Sequence, residues 1–135
     1  MKVPIITGIY AAILMLIYVA LSLNVVRLRR GNQVSMGDGG NVELRCAIRA
    51  HAHFAEYVPF ALLLIAIIEM SSASRIILHI LLATLLVARL LHPMGMFAKP
   101  GTFQFTTGRV LGMALTMIVM VVTALVALQR FLLPV

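Results

Sequence analysis

The length of its apolar runs constrains this chain most. Four stretches, at about residues 4–26, 41–70, 75–92 and 107–131, are long and poor in charge. A helix rises about 1.5 Å per residue, so about 20 residues cross a hydrocarbon core about 30 Å thick. In lipid, every backbone N–H and C=O needs a partner within the protein, which leaves only helices or closed barrels. Runs this long and evenly apolar read as helices. The expected fold is all-α, an integral membrane four-helix bundle forming one domain over residues 1–135. The first run is longer than a signal-peptide core of about 7–15 residues, and no small-residue cleavage site follows. It therefore reads as a retained span.

Composition agrees. The chain is 62% hydrophobic and 11% charged, against about a quarter charged in soluble domains. The formal net charge is +7, but the cations sit between apolar spans rather than on a soluble surface, so nucleic acid is not an expected partner. A single cysteine, Cys46, excludes an intrachain disulfide. Arg27, Arg29, Arg30, Arg45, Arg49, Arg89, Lys99 and Arg109 fall on one side of the predicted topology; Lys2, Arg75 and Arg130 fall on the other. Positive charge marks the cytoplasmic side, which places both termini on the non-cytoplasmic side.

The second span carries the functional signal. At about 100° per residue, Arg45, Arg49, His53, Glu56 and Phe60 share one narrow face. An ionisable group at membrane depth is costly and marks a functional site by default. Two readings stand: interhelical salt bridges that neutralise buried charge, or a polar pocket for a guest bearing carboxylates and an ammonium. His51 and His53 point about 200° apart, so no metal site is expected. Arg89 and His92 are one turn apart on the third span, and Arg109 opens the fourth at a comparable depth. Gly108 and Gly112 form a small-xxx-small pair that permits close helix approach. Pro59 can kink the second span, and Ser71, Ser72 and Ser74 can cap the third. Thr7, Ser22, Asn24, Thr84, Thr116 and Thr123 are expected to bond between helices, and His79 to serve in packing.

Four spans together with Arg49-x-x-x-His53-x-x-Glu56-Tyr57-x-Pro59 resemble the MAPEG family, the membrane-associated proteins in eicosanoid and glutathione metabolism. The resemblance covers nearly the whole chain, is strongest over residues 43–60, and looks closest to the small bacterial inner-membrane branch. It implies a homotrimer that binds glutathione between subunits near the cytoplasmic surface. Glutathione would be the thiol cosubstrate for transfer to, or reduction of, a hydrophobic electrophile arriving from membrane lipid. Arg49, Glu56 and Tyr57 match family residues, while His53 stands where the motif carries Asn. Arg89 and His92 match an Arg and a His of the third helix, and Arg29 corresponds to a first-helix arginine that reaches in. Met96 falls where many members carry Tyr. The resemblance thus assigns ligand binding to Arg29, Arg49, His53, Glu56, Tyr57, Arg89 and His92. Arg109 takes the catalytic place, its permanent charge favouring a thiolate. Two alternatives remain: a non-enzymatic scaffold or ligand-binding protein of the same fold, and a small proton-coupled multidrug transporter working through Glu56.

Overall fold

A computed structural model describes residues 3–99 and 101–132. In it the chain forms α1 (Ile5–Gly31), α2 (Val42–Met70), α3 (Arg75–Phe97) and α4 (Phe103–Leu132). All four are long and apolar enough to cross a membrane. Three boundaries differ from the sequence reading. Helix α1 continues through Arg27–Arg30, which are helical beyond the apolar run. Helix α4 begins at Phe103 rather than near residue 107. Helix α3 runs through Pro93 to Phe97 instead of ending at His92. Proline removes one helical hydrogen bond, but membrane helices tolerate it where neighbouring packing holds the backbone.

That packing is a contact between glycines. A Cβ added at Gly95 would lie 2.2 Å from the Arg109 amide nitrogen and 2.6 Å from the Gly108 carbonyl carbon. One added at Gly112 would lie 2.9 Å from the Ala88 carbonyl oxygen and from the His92 backbone nitrogen. Helices α3 and α4 therefore touch backbone to backbone, with Gly95 opposite the Gly108/Gly112 pair. Between helices in lipid, close approach of small residues replaces the hydrophobic drive available in water.

Helix α2 buries Leu44, Ala47, Ala50, Phe54, Val58, Ala61, Ile65 and Ile68, three or four residues apart, as a packed seam requires. Thr7, Leu14 and Leu21 give α1 a narrower stripe. Leu16, Leu23, Ile76, Ile80, Val121 and Leu125 are exposed, which costs little against lipid tails of equal polarity.

Charges from other helices close the helix ends away from the arginine-rich side. The Glu69 carboxylate accepts from the Ile6 and Thr7 amides at 2.9 and 2.8 Å and from the Thr7 hydroxyl at 2.6 Å. It thereby caps amides that α1 leaves unpaired, where a negative charge is favoured. Arg130 donates to the Ser71 carbonyl at 2.7 Å and to its hydroxyl at 3.2 Å, closing α2. Ser71 also donates to the Ile68 carbonyl. Ser74 occupies the position before α3 without a side-chain cap bond, so the expected serine capping of that helix is absent there.

On the arginine-rich side, Asn41 caps α2 by accepting from the Leu44 amide at 2.9 Å. The preceding loop turns through Gly39 and Gly40, both at positive φ, a conformation glycine adopts without steric cost. Asp38 accepts from the Gly40 amide and pairs with Arg45. First the Gly40 N–H and then the Arg45 guanidinium hold the Asp38 carboxyl below its ordinary range.

Two outcomes are expected. Gly95→Ala should force α3 and α4 apart and lower stability by about 1–3 kcal/mol, read as a reduced thermal midpoint in detergent. A depressed Asp38 pKa makes its contribution complete above the usual aspartate range and lost as pH falls through the depressed value. The protection factor of the Gly40 amide, its exchange rate set against that of an unstructured peptide at the same pH, should fall on acidification, and Asp38→Asn should flatten that pH dependence.

Candidate functional site

The close α3–α4 crossing sets His92 against α4, and α2 brings His53 to meet it. His92 is only 2% exposed. Arg49 Nη2 lies 2.7 Å from His53 Nε2, and His53 Nδ1 lies 2.9 Å from His92 Nε2. His92 Nδ1 lies 3.3 Å from the Arg109 carbonyl oxygen. Three helices thus share one line of hydrogen bonds.

The chemistry of its two ends fixes its polarity. A guanidinium only donates and a carbonyl only accepts. Arg49 therefore donates to His53 Nε2, leaving the His53 proton on Nδ1 to be donated to His92 Nε2. His92 in turn carries its proton on Nδ1 and donates to Arg109. Both imidazoles are neutral in this arrangement, and the tautomer of each is set by its neighbour.

Arg49 and Glu56 stand on the exposed face of α2, two turns apart, with His53 between them. Among the described residues they do not pair with each other, and Glu56 makes no hydrogen bond or ion pair. Of the two readings of the stripe, mutual neutralisation within the chain is therefore not what α2 displays. Arg45, at the stripe's start, is drawn away to Asp38. Pro59 has no N–H to offer the Ala55 carbonyl. Beyond Phe60 the same side of α2 meets α4 at an apolar groove of about 300 Å³, lined by Leu63, Leu64, Ile67, Met120 and Thr123.

The remaining candidates lie apart from this line or beside it. Tyr57 is half-buried, its ring centroid 6.1 Å from that of His53. The Arg109 guanidinium lies 5.6 Å over the Phe105 ring and is exposed. Arg29 turns into the loop and donates to the Ser35 carbonyl at 3.2 Å. Arg89 is only 1% exposed and points at α4, where Nη2 donates to the Thr116 hydroxyl and, at 3.3 Å, to the Gly112 carbonyl.

Of the expected interhelical hydroxyls, Thr7 and Thr116 bond across helices. Ser22 bonds the Tyr18 carbonyl of its own helix, Asn24 bonds Arg27, and the Thr123 hydroxyl is buried with no partner among the described residues. His79 meets the Tyr10 hydroxyl at 3.3 Å, as a packing residue would. Sequence periodicity missed the direct bond between His53 and His92. The one available signal was Gly95, whose spacing from His92 puts it on the same face of α3.

Nitrogen-resolved NMR of the imidazoles checks the fixed polarity. Both His53 and His92 should show the Nδ1–H tautomer. In Arg49→Met both should keep that tautomer, because the Arg109 carbonyl still fixes His92 and His92 Nε2 still accepts from His53, while the His53 Nε2 resonance shifts as its donor is lost.

The chain matches the MAPEG family over residues 7–129. It is similar to inner membrane protein YecN of Escherichia coli strain K12, at 40% identity over 90 residues that cover 67% of this chain and 69% of that one. The YecN protein of Escherichia coli O6:H1 matches to the same extent. No solved structure matches. With its four membrane-length helices and a match spanning most of the sequence, this chain belongs to the MAPEG family.

Proposed function

We propose that the protein is a glutathione-dependent inner-membrane enzyme, a transferase or peroxidase acting on apolar electrophiles from its cytoplasmic side. In this reading it works as a homotrimer with both termini on the non-cytoplasmic side. The observation that carries the reading is the unsatisfied Arg49/Glu56 face, with His53 locked between the two. Charges on a lipid-facing helix are costly, so a neighbouring subunit covers this face and glutathione fills it.

The chemistry follows from the charges. Arg49 takes a glutathione carboxylate in a charge-assisted, bidentate contact. Glu56 takes the α-ammonium, and Arg29 of an adjacent subunit adds a second cation. A thiol of ordinary pKa about 8.5 is mostly protonated at neutral pH, and only the thiolate is a good nucleophile. The Arg109 guanidinium favours the thiolate, each unit of depression being worth about 1.4 kcal/mol. Neither ring nitrogen of His53 is free to take the thiol proton, so His53 positions Arg49 rather than acting as a base. The groove beyond Phe60 offers an apolar electrophile a route in from lipid. A transporter built on Glu56 needs that carboxyl isolated, whereas Arg49 and His53 lie within two turns of it.

Arg49→Ala and Glu56→Gln should each weaken glutathione binding about tenfold or more, the scale of one charge-assisted hydrogen bond. Arg109→Ala should leave binding nearly intact and weaken the ultraviolet thiolate band together with turnover of a model electrophile. Unchanged binding and turnover in Arg49→Ala would favour a non-enzymatic member of the same fold.

A further inference from the structure

Among the described residues His92 makes no hydrogen bond to Arg49 or Glu56, yet its ring controls what their face can present. It is wedged between α2 and α4. Its Nε2 lies 2.9 Å from His53 Nδ1, and its Nδ1 lies 3.3 Å from the Arg109 carbonyl oxygen. The glycine contact leaves it little room, since a Cβ at Gly112 would lie 2.9 Å from the His92 Cβ. Arg49 in turn has one side-chain acceptor among the described residues, His53 Nε2 at 2.7 Å.

A carbonyl oxygen is an acceptor permanently. An imidazole nitrogen accepts only while the ring's proton sits on the other nitrogen. With nothing to receive it at Nδ1, the His53 proton is free to pass to Nε2. His53 would then turn a donor toward a guanidinium that itself only donates, and Arg49 would swing away. Glu56, three residues on and on the same face, would accept from the misplaced N–H, so both ends of the stripe would lose their geometry. The lone pair on His92 Nε2 prevents this. That lone pair exists because the Arg109 carbonyl holds the His92 proton on Nδ1. Both tautomers are therefore set from the α4 backbone, whose carbonyl cannot change its role.

We propose that His92 is a positioning residue for guest binding: by fixing the tautomer of His53 it keeps an acceptor beneath Arg49 and aims that guanidinium at a carboxylate. The identity of the guest rests on the glutathione reading; the setting of the tautomer does not.

Calorimetric titration of the full chain in detergent with S-methylglutathione tests it, because a sulfur without a proton keeps thiolate formation out of the measurement. His92→Asn places an amide at the level of Nδ1, which can still donate to the Arg109 carbonyl, and nothing at Nε2. It should weaken binding about three- to tenfold, the scale of one hydrogen bond. His92→Gln, whose amide reaches the Nε2 position, should recover part of that loss. In an Arg49→Ala background His92→Asn should have no further effect. Nitrogen-resolved NMR should show His53 leaving the single Nδ1–H tautomer in His92→Asn. If that variant does not fold, His53→Gln, which keeps a permanent acceptor for Arg49, should bind more tightly than His53→Leu. Equal weakening by His92→Asn with and without Arg49, an unmoved His53 tautomer, or His53→Gln no better than His53→Leu would overturn the proposal. No binding of S-methylglutathione by the unaltered chain counts against the glutathione reading alone, and the tautomer measurement still decides the role of His92.

Discussion

Everything on the arginine-rich side of this bundle depends on how closely α3 and α4 approach. Gly95 opposite Gly108 and Gly112 lets two backbones meet where any Cβ would intrude. That approach carries α3 past Pro93, sets His92 against the Arg109 carbonyl, and buries Arg89 beneath Thr116. The glycines contribute no chemistry, yet they determine which polar side chains can reach one another. In a bilayer, where lipid competes on equal terms for apolar surface, such steric permission is a main source of specific helix pairing.

The polar groups divide into two kinds. At the end away from the arginines, Glu69 and Arg130 satisfy helix termini and are consumed in doing so. On the arginine-rich side, Arg49 is half-engaged, Glu56 is free among the described residues, and Arg89 keeps an unpaired N–H. Buried or membrane-embedded polar groups are usually paired. Arg89 is the exception among the buried charged side chains, its Nε–H having no partner among the described residues.

The four spans were legible because lipid imposes a simple demand on each residue, and average polarity answers it. Helix ends were less legible. Arg27–Arg30 are polar yet helical, and Pro93 reads as a stop although packing carries the helix onward. The Arg49, His53 and Glu56 stripe could be read from periodicity, since it lies on one helix. The bond from His53 to His92 could not, because it spans two helices whose separation is set by glycines on α3 and α4. Arg89 shows the same limit. Its spacing from His92 implied a shared site, whereas its guanidinium turns to α4. The fate of each hydroxyl was equally hidden: Thr116 and Ser22 each donate to a carbonyl of their own helix, and only Thr116 also meets a donor from another helix, the Arg89 guanidinium.

The carboxylate at the end of α2 has a consequence for biogenesis. Glu69 follows Ile6 by 63 residues, so the first span leaves the ribosome before its acceptor does. Until the second span arrives, those leading amides depend on interfacial water. Insertion of α2 thus completes its predecessor, and the ribosome's order of delivery is written into which side chain closes which helix.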